Sequence, residues 1–499
     1  MPSSPRPHPW ARPRTRDPWW LRLAPVVLLL TTVTRLPSFT RELSNPDEGF
    51  LATQARQLTD GGRLYDTVVD RKPPLVPLLY QGCFAVFGDQ SLWPLKVAAV
   101  LAVAATALLV ASLARRWWGD SAGWTAGTLT VLLSVALVPE DSQAATFEIF
   151  MLPWTALAVW CADRRRWALA GLAVAGAALT KQTGGAVWLP VLYLMWRARP
   201  RPTVCVLSLA SVAAPFVAFA LWFGPGPFLY WMVTGSGSYA SVTGAELHAL
   251  LRALGNASLV AMGAAPLLWA ALRLARGGRG DGERWPGATV VWVWLGASAL
   301  GVVVGFQFYG HYYLQLLPPL ALWGALVLHR LGRREPGPLP GRLLAATAAL
   351  SACFVLWGLL LAPRGELDHA RTLGAEVRER TRPGDTVLLW GMHPEQYWFA
   401  DRPPASRYLT AGFLTNYSGG RHSLVGGRHA VRVGERYAMD GAWDHFRAEL
   451  ADHPPRLVVD DSRGKPYAIS RTPTLRAYLR DHYQRVGTVG GAVLWERRS

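Results

Sequence analysis

Apolar runs that alternate with short arginine clusters fill the first three quarters of this chain and constrain its fold more than any other feature. The clusters lie at 115–116, 164–166, 197–201, 273–279 and 330–334. Basic residues accumulate in this way in the cytoplasmic loops of membrane proteins. The sequence therefore predicts a bundle of membrane spans, in agreement with a hydrophobic content of 51% against 17% charged residues.

The net charge of +18 comes from the same clusters. Because the basic residues are confined to loops between apolar runs, topology explains the charge and we expect no nucleic-acid partner. Some of the surplus is expected to attract anionic head groups of membrane lipids.

Placing every arginine cluster on the cytoplasmic side gives about eleven spans. They lie near 19–36, 92–114, 122–138, 147–162, 167–181, 184–197, 203–223, 248–272, 288–306, 314–331 and 343–362. Residues 1–18 then form a basic cytoplasmic tail and residues 19–362 a transmembrane domain. The four loops 37–91, 139–147, 224–247 and 307–313 lie outside, and the predicted location is the plasma membrane.

Residues 363–499 have the composition of a soluble domain, which this topology places outside the cytoplasm. Two segments predict helices and two predict strands: Arg371–Arg380 and Leu475–Tyr483, and Thr386–Trp390 and Arg456–Asp460. Alternating helix and strand indicates an α/β domain. The predicted fold class is thus an α-helical polytopic membrane protein with a C-terminal extracytoplasmic α/β domain.

The first outside loop, 37–91, is long and carries seven acidic residues against five basic ones. Asn45-Pro46-Asp47-Glu48 has the residues of a helix start, with Asn as N-cap, proline first and glutamate third as in a capping box. That structural role alone would explain the four residues. For Glu48 three roles stay open: capping the helix, assisting Asp47 or binding a metal.

Lys72 is one of four lysines in a chain with 47 arginines, so a lysine between Arg71 and Pro73 is not background composition. Two interpretations of Lys72 stay open: a solvated residue of a turn, or a residue that contacts a phosphate. Glu148 stands near the outer end of a span, where an unpaired carboxylate is costly and usually functional. Lys181 closes another span, as a phosphate contact or as a snorkelling lysine.

The remaining candidates lie beside outside loops. The span near 314 begins with His311, Tyr312 and Tyr313. Aromatic residues at this depth are commonly interface anchors, and the alternative is that they contact a ligand. Glu140 and Asp141 are interpreted as solvated loop residues.

In order and sidedness these motifs resemble the GT-C glycosyltransferases of the protein O-mannosyltransferase and lipid A aminoarabinose transferase superfamily. The resemblance covers roughly residues 20–330. It rests on the Asp-Glu pair after the first span, on Tyr65 with the segment 70–75 (DRKPPL), on the segment 146–153 (TFEIFMLP) and on the segment 310–319 (GHYYLQLLPP). Members move a sugar from a polyprenyl-phosphate donor to an acceptor outside the cytoplasm.

The resemblance implies roles for individual residues. It makes Asp47 the general base, with Glu48 and Glu148 as further catalytic carboxylates. The implied donor-phosphate contacts are Lys72, Arg71, Lys181 and His311, and the implied substrate contacts are Tyr65, Tyr312, Tyr313 and Gln315. Metal use stays open: Asp47, Glu48 and Glu148 could hold Mg²⁺ or Mn²⁺ with water and phosphate.

The predicted function is an inverting hexosyl- or pentosyltransferase of the cell envelope, acting at the outer face of the membrane on a glycan, lipid or protein acceptor. The sugar and the acceptor stay open. The alternatives are a transporter or flippase of lipid-linked sugars and a non-catalytic envelope-assembly protein. An enzyme needs the Asp47 carboxylate, whereas a transporter needs charge along a path between the two faces.

Overall fold

The computed structural model of the chain describes residues 17–235, 246–277, 285–362, 365–417 and 433–498. The longer helices of the first three quarters are Pro18–Thr34, Pro46–Thr59, Leu75–Phe87, Trp93–Trp118, Asp120–Leu133, Phe147–Asp163, Trp167–Thr180, Trp188–Ala198, Pro202–Phe223, Glu246–Gly263, Ala265–Arg276, Ala288–Val303, Leu317–Arg334 and Leu339–Leu356. Short helical turns lie between them at Leu36–Phe39, Pro139–Ser142, Gln182–Val187, Pro225–Leu229, Tyr230–Thr234, Gly310–Leu316 and Trp357–Leu361. Every segment predicted as a span overlaps a helix.

The predicted count of eleven spans is not confirmed. In the described part of the chain, four helices are long and apolar enough to cross a membrane, and a fifth is added if Glu246–Gly263 and Ala265–Arg276, bent by 76°, form one span. Several other apolar helices are shorter. The 17-residue helix Pro18–Thr34, for example, rises only about 26 Å, less than a hydrocarbon core of about 30 Å.

The predicted first loop is largely helical. The expected helix start is confirmed: Asn45 is the N-cap of Pro46–Thr59, and its side-chain oxygen accepts from the Glu48 amide at 3.2 Å. The loop also contains the apolar helix Leu75–Phe87, which the sequence did not predict as a separate element. With 13 residues it is too short to be recognised as a span.

The helix Trp93–Trp118 occupies the centre of the bundle and packs against Asp120–Leu133 and Phe147–Asp163. Five of its fully buried residues follow helical spacing and are small or β-branched: Ala99, Val103, Ala107, Val110 and Ala114. Such residues let neighbouring helices approach closely, as is typical of helix packing in membranes.

The C-terminal region contains a four-stranded sheet in the order β1-β2-β4-β3. The strands are β1 (Val387–Trp390), β2 (Leu457–Asp460), β3 (Tyr483–Val489) and β4 (Ala492–Arg497). β1 and β2 are parallel, whereas the other two pairs are antiparallel. The helices of this region are Gly365–Arg380, Glu395–Ala400, Ala411–Thr415, Ala442–Asp452 and Pro473–His482. The two predicted strands and both predicted helices are present, but the β3–β4 hairpin was not predicted.

The sheet-containing region docks on the helix Pro46–Thr59. A Cβ atom added at Gly49 would overlap the backbone and side chain of Glu395, so glycine permits the close approach. Nearby, the Arg56 guanidinium lies 4.1 Å from the centre of the Trp398 ring and pairs with Asp401 at 3.1 Å. The helix that carries Asp47 therefore forms part of the interface between the two parts of the molecule.

Candidate active site

The segment 142–145 is held in place by side chains that bind its backbone carbonyl groups. The fully buried guanidinium of Arg35 donates to the carbonyl oxygens of residues 142, 143 and 144 at 3.0, 2.8 and 3.3 Å. The Tyr80 hydroxyl donates to the carbonyl of Ala145 at 2.7 Å. These contacts hold the connection that lies between Asp141 and Glu148.

Glu48 links this segment to the start of the helix Pro46–Thr59. Its carboxylate is fully buried and accepts from the backbone amides of Ser44 and Ala145 at 2.5 and 2.7 Å. The side chain thus reaches the amide one residue before the N-cap, a variant of the predicted capping box. Both oxygens are engaged by main-chain donors, in agreement with the capping role that the sequence left open for Glu48.

Asp47 is one residue away and points to a different environment. Its carboxylate accepts from the Lys72 ammonium at 3.3 Å, and both side chains stay about one third exposed (38% and 35%). Burial acts to raise the pKa of Asp47, but attraction by Lys72, His311 and Lys181 outweighs it and lowers the pKa below its usual value. Asp47 is therefore ionised at neutral pH and within reach of a ligand.

Lys72 is surrounded by acidic groups and an aromatic ring. Its ammonium lies 4.4 Å from the centre of the Phe147 ring. Burial opposes the charge, but Asp47, Asp70 and Glu148 outweigh that effect and raise the pKa of Lys72. The side chain is thus a permanent cation at the entrance of the site.

Asp70 is a further carboxyl of the site, and sequence reasoning gave it no role. It is 4% exposed, and its Oδ2 atom has no hydrogen-bond partner among the described residues. Burial raises the pKa of Asp70 to about 6, an effect that Lys72 opposes and Asp47 reinforces. Its burial, rather than its residue type, sets this acidity, and burial is not visible in the sequence.

Glu148 and Lys181 form a buried ion pair at the ends of two helices. The Lys181 ammonium also lies 3.8 Å from the centre of the Tyr312 ring. Both predicted residues are brought to the same end of the bundle as Asp47 and Lys72. A buried lysine held by a carboxylate and an aromatic face is pre-positioned to contact an anion.

His311 connects this pair to a residue that was misinterpreted. Its Nδ1 atom lies 2.6 Å from Asp141, and its Nε2 atom lies 3.8 Å from Glu148. Asp141, predicted as a solvated loop residue, has a side chain only 18% exposed. Gly310 makes this approach feasible, because an added Cβ atom would overlap the Asp141 carboxylate. The His-Asp contact fixes the imidazole ring.

An aromatic and cationic layer beside His311 was also missed. The Tyr309 ring stacks on His311 with centroids 5.6 Å apart. The guanidinium of Arg252 lies 4.4 Å from the centre of the Tyr309 ring and donates to the Gln307 carbonyl at 2.9 Å. Arg252 comes from the helix Glu246–Gly263, so its arrival here depends on tertiary packing.

Four residues predicted to contact the donor or the substrate make contacts to other parts of the protein. The Tyr65 hydroxyl donates to the Lys72 carbonyl at 2.9 Å, and Tyr65 has a φ of 69°, a left-handed conformation that bulky residues rarely adopt. The Arg71 guanidinium faces the C-terminal region, 4.9 Å from the Phe413 ring centre and 3.3 Å from the Met439 sulfur. Both residues thus make contacts within the protein close to the Lys72 turn, and their predicted roles as direct contacts stay predictions.

The other two lie on the helix side of the turn Gly310–Leu316. The Tyr313 hydroxyl donates to the Ala253 carbonyl at 2.9 Å, and the Gln315 amide donates to the Tyr312 carbonyl at 2.9 Å. Both residues are buried, at 8% and 5% exposure. Their polar groups are thus engaged within the protein, and their role as substrate contacts stays a prediction.

The proposed metal ligands do not converge. Among the described residues, no group of three or more His, Cys, Asp or Glu side chains is arranged to hold a metal ion. Glu48 is saturated by backbone donors and Glu148 is paired with Lys181. All three carboxylates considered as metal ligands are thus engaged by protein donors, Asp47 by Lys72, and metal use stays open.

The resemblance to the GT-C glycosyltransferases predicted from the sequence is supported by similarity to a family model and, at the level of the fold, to solved structures. The family model for dolichyl-phosphate-mannose-protein mannosyltransferases matches residues 71–231. This match includes Lys72, Glu148 and Lys181.

Two solved structures are similar over most of this chain. ArnT from Cupriavidus metallidurans, bound to undecaprenyl phosphate, has a TM-score of 0.61 and 15% identity, and the match covers 96% of this chain and 98% of that one. The oligosaccharyltransferase of Archaeoglobus fulgidus, in complex with zinc and sulfate, has a TM-score of 0.52 and 14% identity, covering 88% of this chain and 67% of that one. A comparison with curated proteins finds no match.

Proposed function

We propose that this protein is an integral-membrane glycosyltransferase that moves a sugar from a polyprenyl-phosphate donor to an acceptor, with Asp47 as the general base. The observation that carries the proposal is the contact of Asp47 with Lys72, 3.3 Å apart and both accessible, beside the cations Lys181 and His311. The bound undecaprenyl phosphate in the similar ArnT structure supports a lipid-phosphate donor.

The donor phosphate lies between Lys72 and Lys181 in this proposal. Both ammonium groups are held by carboxylates and by aromatic rings, Phe147 for Lys72 and Tyr312 for Lys181. When a phosphate enters between the two ammonium groups, its oxygens replace the carboxylates as their partners. As the leaving phosphate gains charge, fixed ammonium groups stabilise it more than they stabilise the bound donor, which lowers the barrier.

Asp47 completes the reaction by taking a proton. The acceptor hydroxyl oxygen attacks the anomeric carbon, the bond from that carbon to the phosphate oxygen breaks, and the electron pair leaves with the polyprenyl phosphate. The acceptor proton passes to the Asp47 carboxylate. A single displacement of this kind inverts the anomeric centre, and proton abstraction by a positioned base typically contributes 10²–10⁴-fold.

The ion pair with Lys72 couples donor binding to the strength of the base. While Lys72 contacts Asp47, the ammonium lowers the pKa of the carboxyl and weakens it as a base. Once Lys72 turns to the donor phosphate, this attraction is shared and the proton affinity of Asp47 rises. The base is then strongest when the donor is present.

The proposed site faces the outside of the cell. The helix Phe147–Asp163 runs from Glu148 at the site to Asp163, which is followed by the arginine cluster 164–166. Site and arginines therefore lie at opposite ends of the bundle, and the positive-inside rule assigns the arginine end to the cytoplasm. The acceptor is accordingly an extracytoplasmic glycan, lipid or protein.

Transfer of radiolabelled sugar from a panel of polyprenyl-phosphate sugars tests this proposal. Membranes that contain the wild-type chain should transfer label from one donor, and Asp47→Asn should lose at least a hundredfold of that activity. Asp60→Asn, at the exposed C-terminal end of the same helix, is the matched control and should keep it. An Asp47→Asn variant as active as the control would refute the role of Asp47. Donor binding to the wild type without any transfer would favour a transport or assembly role instead.

A further inference from the structure

A cavity of about 520 Å³ opens at the end of the bundle opposite to the candidate active site. Its charged and aromatic lining consists of Arg116, Trp117, Asp163, Arg165, Trp167 and Arg197. Glu148 and Asp163 stand 15 residues apart on one helix, so this cavity lies roughly 22 Å from the active-site end. It is therefore separate from the site proposed for sugar transfer.

The cavity wall carries more positive than negative charge. The Asp163 carboxylate is already engaged, by the Trp117 indole at 2.9 Å, by Arg116 at 2.9 Å and by Arg164 at 3.5 Å. In the part of the chain that the structure describes, no ion pair and no side-chain hydrogen bond involves Arg165. Arg197 has one long contact, at 3.5 Å to the Tyr193 hydroxyl. Two guanidinium groups are thus available to an anion.

The backbone of the turn 164–166 is strained at Arg165, which provides one of the two guanidinium groups. Arg165 has a φ of 58°, in the left-handed region that residues with a Cβ atom avoid. A glycine or asparagine would relieve that strain, but the chain has arginine at this position. The positive-inside rule accounts for basic residues in this turn, whereas it requires neither a cavity nor a strained arginine that lines it.

Two helices that contribute to the cavity lining also carry exposed apolar side chains. Leu169 is 49% exposed and Trp196 is 69% exposed, on the same two helices that contribute Trp167 and Arg197. Large apolar side chains with this exposure are expected to face acyl chains, and tryptophans are typical of the head-group level. The neighbourhood therefore suits a ligand with a charged head and apolar tails.

We propose that this cavity binds the phosphodiester head group of an anionic glycerophospholipid, with Arg165 and Arg197 as the principal contacts. Guanidinium groups form paired hydrogen bonds to phosphate oxygens, and basic pockets between helices at a cytoplasmic membrane face are suited to such head groups. Arg116, held by Asp163, lines the same cavity and adds positive charge behind the two contacts. The acyl chains are proposed to contact exposed apolar side chains of these helices, such as Leu169 and Trp196.

Binding of dioleoylphosphatidylglycerol to the full chain in neutral detergent, followed by native mass spectrometry, tests this site. The wild type should bind this lipid about tenfold more tightly than dioleoylphosphatidylcholine. The double variant Arg165→Asn/Arg197→Gln should lose that preference. Asparagine is chosen for Arg165 because it tolerates the left-handed backbone and so keeps the turn folded.

Arg276→Gln is the matched control, because Arg276 is an exposed arginine in another basic cluster and does not line the cavity. It should retain the tenfold preference. An equal loss in the control would assign the preference to diffuse charge and overturn the proposal. Displacement of the lipid by glycerol 3-phosphate at the same concentration would also overturn it, in favour of a site for soluble phosphates.

Discussion

Asp70 shows how strongly a single buried carboxyl can depend on its surroundings. The ammonium of Lys72, which lies near Asp70, is also paired with Asp47, and burial raises the pKa of Asp70 to about 6. In the unfolded chain the pKa returns to about 3.8. Between these two values the folded state binds more protons than the unfolded state, so stability falls as the pH rises through this window.

Replacement of Asp70 by asparagine should remove this loss. We expect Asp70→Asn to be more stable than the wild type at pH 7.5, by on the order of 1–3 kcal/mol, and to have a smaller advantage at pH 4.5. Thermal unfolding in detergent at the two pH values measures the difference. Asp60→Asn, an exposed carboxyl on the preceding helix, should show no such dependence. A Tm difference between Asp70→Asn and wild type that is equal at both pH values would contradict the prediction.

Residue-scale chemistry was predicted where it depends on near neighbours. The N-cap at Asn45 and the helix start at Pro46 follow from adjacent residues, and both are confirmed. The contacts of Asp141 with His311 and of Arg35 with residues 142–144 join positions more than a hundred residues apart. Neither residue type nor spacing reveals such contacts, so Asp141 was misinterpreted and Arg35 was overlooked.

At the scale of elements, the first turns of the helix Pro46–Thr59 both position Asp47 and pack against the C-terminal region. Its first turn presents Asp47 to the site, and the next residues pack against the helix Glu395–Ala400 of the C-terminal region. Gly49 allows that contact, because any side chain there would overlap Glu395. The helix start was predictable from local sequence, whereas its partner, which comes from the last quarter of the chain, was not.

A methyl group at Gly49 should therefore separate the two elements. Gly49→Ala is expected to destabilise the fold by about 1–3 kcal/mol, since the overlap involves backbone as well as side-chain atoms. Gly82→Ala, in the interior of the helix Leu75–Phe87, adds the same methyl group where nothing lies within 4 Å. It should be neutral or stabilising, because alanine favours helix over glycine. Thermal unfolding of the two variants and the wild type measures the difference. Equal changes in Tm for both variants would rule out the packing explanation.

At the scale of the whole molecule, the apolar runs predicted helices at the correct places, but they did not predict which helices span. A run of apolar residues has the same composition in a membrane-crossing helix as in a short helix that packs with one face on its neighbours, such as Leu75–Phe87. The C-terminal sheet was predicted only in its two buried strands. The β3–β4 hairpin has partly exposed strands and lacks the continuous apolar run that marked the other two.

The orientation of the whole molecule is tested by labelling. In a variant that lacks the four native cysteines, Asp444→Cys should react with a membrane-impermeant maleimide on intact cells. Arg276→Cys should react only after permeabilisation, because the arginine-rich end is expected to face the cytoplasm. Asp444 and Arg276 both have exposed side chains, so accessibility to the reagent does not differ for structural reasons. The reverse pattern would place the proposed active site in the cytoplasm.

The docking of the last quarter of the chain on the helix of Asp47 has a consequence for biosynthesis. Phe413 and Met439 contact Arg71, next to Lys72, and Glu395 packs on Gly49, two residues after Asp47. A chain is synthesised from its N-terminus, and its earlier helices enter the membrane first. The walls of the candidate site are consequently completed only after the segment that contains Glu395, Phe413 and Met439 has been synthesised and has docked. Until then, a nascent molecule lacks part of this site.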